Sequence, residues 1–122
     1  QRQRLIDVSD LIGIPYKDHG RTAEGLDCYG LALIVLERFG KKLDDVVYEN
    51  HDMELSGTWA PLLNVRRTDI IKAGSLIEIH IKGTLHIAVA LDNRTMIHAT
   101  TNQGVRISKI AAYKLAALYE VL

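Results

Sequence analysis

The sequence predicts one α+β domain spanning residues 1–122, with N-terminal helices followed by an antiparallel sheet of about five strands. Three observations carry this. Apolar residues recur at helical spacing in the first half. The second half switches to alternation. The turns between the alternating runs are short, as antiparallel neighbours allow. At 122 residues and 48% hydrophobic content, the chain is long enough to bury a single core.

The first expected helix covers Leu5, Val8, Leu11 and Ile12, with Gly13 and Pro15 ending it. A polar, glycine-bearing loop, IPYKDHGRTAEGL, follows. A second helix starts at Asp27, whose carboxylate suits an N-cap. Leu31, Ile34, Val35, Leu36 and Phe39 give it a broad apolar surface, Glu37 and Arg38 a wetter one. Gly40 suits the C-terminal cap, and Lys41 and Lys42 sit near the negative end of the helix dipole. Residues 43–74 have mixed periodicity, expected as an excursion with one short helix and with Trp59 as a core plug or a groove wall. Beyond Gly74, SLIEIHI, HIAVAL, TMIHA, VRISKI and ALYEVL read as strands.

Charge and composition narrow the function. Fifteen basic and fifteen acidic residues cancel, so no electrostatic grip on nucleic acid is expected. The longest apolar stretch, LALIVL, is far short of the roughly 20 residues that a bilayer crossing needs, so no membrane insertion is expected. The start, QRQRLIDVSD, shows no signal peptide but does not begin with Met, and localisation is left open. A single cysteine excludes an internal disulfide. His80 with His86 and His98 could suggest zinc, but no tight His-x-x-x-His pair is present, so neither metal nor other cofactor is implied.

Cys28, in LDCYGL, is either an inert core thiol or a nucleophile. The nucleophile reading finds a source for each thing that chemistry needs. Asp27 as cap puts Cys28 in the first helical turn, where free N–H groups and the positive dipole end favour a thiolate. The Cys28 N–H can face an acyl oxyanion, and Gly30 allows close approach. Five histidines are candidate bases; His86 and His98 stand on adjacent strands, whereas His19 and His51 read as solvated. Their relative facing depends on the loop between those strands. A regular two-residue turn at Asp92-Asn93 would turn the rings to opposite faces. A loop of odd length, or a bulge, would bring them to the same face, and that is the expectation here.

GIPY, then LDCYGL at a helix start, then KAGSLIEI, LHIAVAL and MIHA resemble the NlpC-type family of papain-like cysteine peptidases, from about Gly13 to the C-terminus. The resemblance implies a papain-like core with the nucleophile helix packed on an antiparallel sheet. It implies Cys28 as nucleophile, His86 as general base and His98 as the residue orienting it. It makes Tyr16 an oxyanion helper, with Asp27 and Tyr29 beside it as candidate oxyanion or substrate contacts. Family members mostly cut cell-wall stem peptides, commonly after γ-D-glutamate; others act on different amides or transfer acyl groups. A peptidoglycan peptide is thus the expected substrate. Tyr29 stands where the family has Ser, Ser75 where it has Asp, and His19-Gly20 where it has a glycine pair. Tyr29 and FGKKLDDVVYEN resemble the phage tail-assembly subgroup, which implies other tail proteins as partners and a virion-tail or cell-wall setting. Two alternatives stand beside the hydrolase: a structural tail module with little turnover, and an acyltransferase or deamidase on the same scaffold.

Overall fold

In the computed structural model, residues 6–45, 64–81 and 83–122 are described. Leu5, His51 and Trp59, and most of the expected short helix between 43 and 74, lie outside them. In chain order the elements are β1 (Arg21–Thr22), β2 (Gly25–Leu26), α1 (Cys28–Arg38), β3 (Val65–Arg67), β4 (Leu76–Ile81), β5 (Thr84–Ala90), β6 (Thr95–Thr100), β7 (Gly104–Lys109) and β8 (Leu115–Val121). A 3₁₀ turn, Ile110–Ala112, links β7 to β8.

The α+β class and the antiparallel sheet are as the sequence predicts. Among the described residues the sheet has six strands, where about five were expected, ordered β3-β8-β4-β5-β6-β7. The extra strand, β3, is a short edge that among the described residues pairs with β8 alone. The first expected helix does not form. Val8 to Ile14 make two successive turns, Leu11 N–H to Val8 O (2.9 Å) and Ile14 N–H to Leu11 O (3.2 Å). Eight residues ahead of a Gly and a Pro are too few to sustain a helix unaided. Val8 and Leu11 still enter the core, while Ile12 is exposed. The segment then runs along the outer edge of β7, with Gly13 N–H to Val105 O and Val105 N–H to Ile14 O, both 2.9 Å. That covers the outer edge of β7, which pairs with no other strand than β6 among the described residues.

α1 begins and ends where the caps predict. Its C-terminus closes as a Schellman motif, Gly40 N–H to Glu37 O and Lys41 N–H to Leu36 O (each 2.9 Å), with Gly40 at φ +81°. Leu31, Ala32, Val35 and Leu36 are fully buried. Each such Leu contributes about 2 kcal/mol from burial. Their partners are Leu85, Ile87 and Val89 of β5, Ile97 and Ala99 of β6, and Leu76 and Tyr119. The opposite face of the sheet holds a smaller cluster: Ile77, Ile79, Ala88, Ala90, Met96, Ile110 and Leu118.

Candidate active site

Strand alternation gives the two histidines their face. His86 shares parity with Ala88 and Ala90, and His98 with Met96, so both belong to the side away from α1. The β5–β6 register is Ala88↔His98, Val89↔Ile97, Ala90↔Met96, continued by Leu91 N–H to Thr95 O (2.9 Å). The loop is therefore Asp92-Asn93-Arg94, of odd length. Asp92 fastens it by accepting from the N–H groups of Arg94 (2.8 Å) and Thr95 (2.7 Å). The rings meet: His86 Nε2 lies 2.7 Å from His98 Nδ1, the planes at 71°.

Cys28 reaches this pair through a gap in the sheet. The β5–β6 pairing covers only residues 88–90 and 96–98, although the strands extend to Thr84 and Thr100. Where they part, the N-terminus of α1 comes in, and the Ile87 backbone hydrogen-bonds the Cys28 sulfur. That bond favours the thiolate, so it is donated by the Ile87 N–H. The backbone N–H groups of Tyr29 and Cys28 also lower the thiol pKa. Donors converging there suit a negative sulfur or an oxyanion. A cavity of about 310 Å³ opens over the gap, lined by Tyr16, Cys28, His86, His98 and Tyr113, with Leu85, Thr100 and Thr101 among its walls. That is the lower end of the size range of small-molecule and peptide pockets.

The protonation states differ from the expectation of an activated thiol at rest. Cys28 is 2% exposed. Burial pushes its thiol up to about 12; the Ile87 N–H pulls back down, and the Asp27 carboxylate pushes further up. Desolvation thus outweighs the helix terminus, and the resting sulfur is a neutral thiol. His98 is 1% exposed, and burial, then the Arg106 charge, lowers its pKa to about 4, so it is a neutral imidazole at pH 7. Its Nε2 lies 2.8 Å from Ser108 Oγ and its ring meets Tyr113 edge-on at 5.5 Å. With Nε2 of His86 engaged by His98, Nδ1 is the nitrogen His86 has to offer a thiol. Tyr16 is half-buried in the cavity wall, and burial raises its pKa, keeping the hydroxyl a donor; it also bonds the Asp18 side chain.

Two expected site residues, Asp27 and Tyr29, do not line the cavity. Asp27 is 0% exposed and saturated as a cap: Oδ1 accepts from Gly30 N–H (2.7 Å) and Arg21 Nη1 (3.0 Å), Oδ2 from His19 N–H (3.0 Å). A carboxylate so enclosed meets no substrate and would repel an oxyanion. Tyr29 is also 0% exposed, because one residue along a helix turns the side chain about 100° away from Cys28. Its hydroxyl donates to Asp44 O, and Arg21 lies 5.8 Å over its ring. Gly30 does receive a close backbone, that of Gly20: a Cβ on Gly30 would stand 2.1 Å from the Gly20 carbonyl oxygen. His19 takes the left-handed conformation, φ 61°, that a glycine would adopt freely. His80 faces away from the pair and bonds buried Glu78 (2.6 Å). Ser108 and Tyr113 escaped the sequence reading. Ser108 was accessible to it, since a β6–β7 hairpin pairing Met96 with Ser108 puts the hydroxyl diagonal to His98 on the same face. Tyr113, after a 3₁₀ turn, had no periodic signal.

The NlpC/P60 family model matches residues 13–119. A murein DD-endopeptidase MepS/murein LD-carboxypeptidase of Escherichia coli K12 is 30% identical over 113 residues, covering 89% of this chain and 55% of that protein. The chain thus spans about half the length of the curated relatives it matches. Among solved structures, the NlpC/p60 domain of the peptidoglycan hydrolase SagA superposes with a TM-score of 0.63 at 21% identity, over 91% of this chain and 90% of that one. An NlpC/P60 family protein from Bacillus cereus gives 0.64 at 22% identity, over 92% of this chain and 37% of that one. Fold, matched span and curated relative agree: the chain belongs to the NlpC/P60 family.

Proposed function

We propose that this domain is a cysteine peptidase hydrolysing peptide bonds of peptidoglycan stem peptides. The observation that carries the reading is one cavity lined by Cys28, His86 and His98, with the two rings bonded at 2.7 Å. The murein endopeptidase name of the E. coli relative supports the substrate class. In this reading His86 Nδ1 takes the thiol proton as the sulfur attacks the amide carbonyl. The Cys28 N–H, with the Tyr16 hydroxyl, holds the oxyanion. His86 then protonates the leaving amine, and water, deprotonated by the same nitrogen, cleaves the thioester. His98 holds the His86 ring and tautomer. Incubation with purified peptidoglycan, followed by mass spectrometry of released peptides, tests it. Wild type releases new peptides and Cys28→Ala does not; identical products from both would sink the hydrolase.

The buried thiol favours a second reading, a catalytically idle module on the same scaffold. Alkylation of Cys28 against pH separates the two: acceleration by His86 at neutral pH, lost in His86→Ala, supports the enzyme. A rate that rises only at high pH in both supports the idle module. A phage-tail setting draws its support from Tyr29 and the LDD segment, which meet through the Tyr29 hydroxyl and the Asp44 carbonyl. Co-sedimentation with isolated tail-tip proteins tests that setting.

A further inference from the structure

We propose that Ser108 is a positioning residue of this site: its hydroxyl accepts the Nε2–H of His98 and so selects the tautomer in which His86 can act as a base. The inference rests on the catalytic reading of Cys28 and His86 given above.

His86 Nε2 bonds His98 Nδ1 at 2.7 Å, and His98 Nε2 bonds Ser108 Oγ at 2.8 Å. His98 is buried and neutral, so it carries one N–H for two partners. Two arrangements satisfy both of these bonds. In the first, His86 carries its proton on Nε2 and donates to His98 Nδ1, and His98 donates from Nε2 to Ser108. His86 Nδ1 then presents a lone pair to the thiol. In the second, Ser108 donates to His98 Nε2, His98 donates from Nδ1 to His86 Nε2, and the His86 proton sits on Nδ1. That form cannot accept the thiol proton. A hydroxyl can take either part, so geometry alone permits both.

Two observations favour the first. Ser108 is half-buried, and Oγ can turn its own proton out towards water while accepting from His98. After proton transfer His86 is an imidazolium, donating from both nitrogens. Only a His98 whose proton sits on Nε2 offers Nδ1 as an acceptor to it. The two bonds therefore need no rearrangement during the reaction when Ser108 accepts from the start. β7 supplies this acceptor by register: Met96 pairs with Ser108 and His98 with Arg106, which leaves Oγ diagonal to the His98 ring.

Long-range ¹⁵N–¹H spectra of the histidine rings at pH 7 read the tautomer directly, with or without substrate. The expected spectrum has His98 protonated on Nε2. A proton on Nδ1 overturns the proposal. Kinetics on peptidoglycan give a second reading. Ser108→Ala lowers kcat about tenfold with KM within about twofold, and Ser108→Thr restores kcat. Wild-type kcat in Ser108→Ala overturns the proposal; so does a loss of kcat that Ser108→Thr leaves in place. If Cys28→Ala hydrolyses as well as wild type, the nucleophile reading fails instead, and the ring spectra still decide the part of Ser108.

Discussion

Cys28 has a polar assembly on each side, and the two are built differently. On the loop side Asp27 is a buried charge with fixed donors: Gly30 N–H, His19 N–H and the Arg21 guanidinium. Each is a donor only, so nothing there can reverse direction. On the sheet side His86, His98 and Ser108 are joined by groups that can each donate or accept. The first assembly is suited to holding the thiol in place, the second to moving a proton. Low dielectric strengthens both, but only the second can change protonation without breaking a bond.

Substitutions on the two sides test this difference. The largest effect is expected on the sheet side. His86→Ala and Cys28→Ala should each lower kcat about ten-thousand-fold in a peptide-release assay while far-UV circular dichroism stays native, since residues acting as one unit fail together. The next falls on the loop side. Asp27→Ala loses the cap and one of the two carboxylates that Arg21 bonds, and should cost about 2 kcal/mol in denaturant unfolding. Asp27→Asn keeps a capping oxygen and should recover part of that stability with kcat near wild type. A hundredfold drop in kcat for Asp27→Asn at unchanged stability would place Asp27 in the chemistry and end the contrast.

The third prediction concerns pH. His98 titrates near 6.5 when unfolded and near 4 in the fold, so between those values the unfolded chain holds more protons. Its neutral, buried state therefore contributes full stability above about pH 6.5, and that contribution is lost as pH falls towards 4. Wild type should lose about 2 kcal/mol relative to His98→Asn across this window, read from unfolding midpoints. Equal slopes for the two proteins would contradict the neutral assignment. The smallest effect is expected at Tyr29. Tyr29→Phe removes the bond to the Asp44 carbonyl and should cost about 1 kcal/mol of stability with kcat unchanged. A changed kcat would return Tyr29 to the cleft.

Legibility in the sequence followed the range of the forces involved. Asp27 and Gly40 act within one helical turn, and both caps stand where they were read. The strands were legible because one face is buried, so Leu76 to Ile81 and Thr84 to Ala90 announce themselves by alternation. β3 was invisible: Val65-Arg66-Arg67 has no buried stripe and owes its conformation to β8. Val8 and Leu11 gave a true signal of burial and a false one of helix, because two turns can bury the same residues. The facing of His86 and His98 was legible as a condition on loop length. The thiol's pKa was not: it depends on how deeply α1 enters the gap between β5 and β6, which no local pattern encodes. The turn from Cys28 to Tyr29 could have been applied from helix geometry alone and would have removed Tyr29 from the cleft.

The place of β8 in the sheet has a consequence for biosynthesis. Leu115–Val121 lies between β3 and β4, pairing with both. During translation β3 and β4 emerge first and have no shared partner until residues 115–121 clear the ribosome. β4 to β7 can form hairpins as they appear, but β3 must wait across about fifty residues for the strand that anchors it. One edge of β4 therefore stays open from its own emergence until residues 115–121 follow. A translational pause between β7 and β8 should raise its demand for chaperones more than a pause ahead of β4.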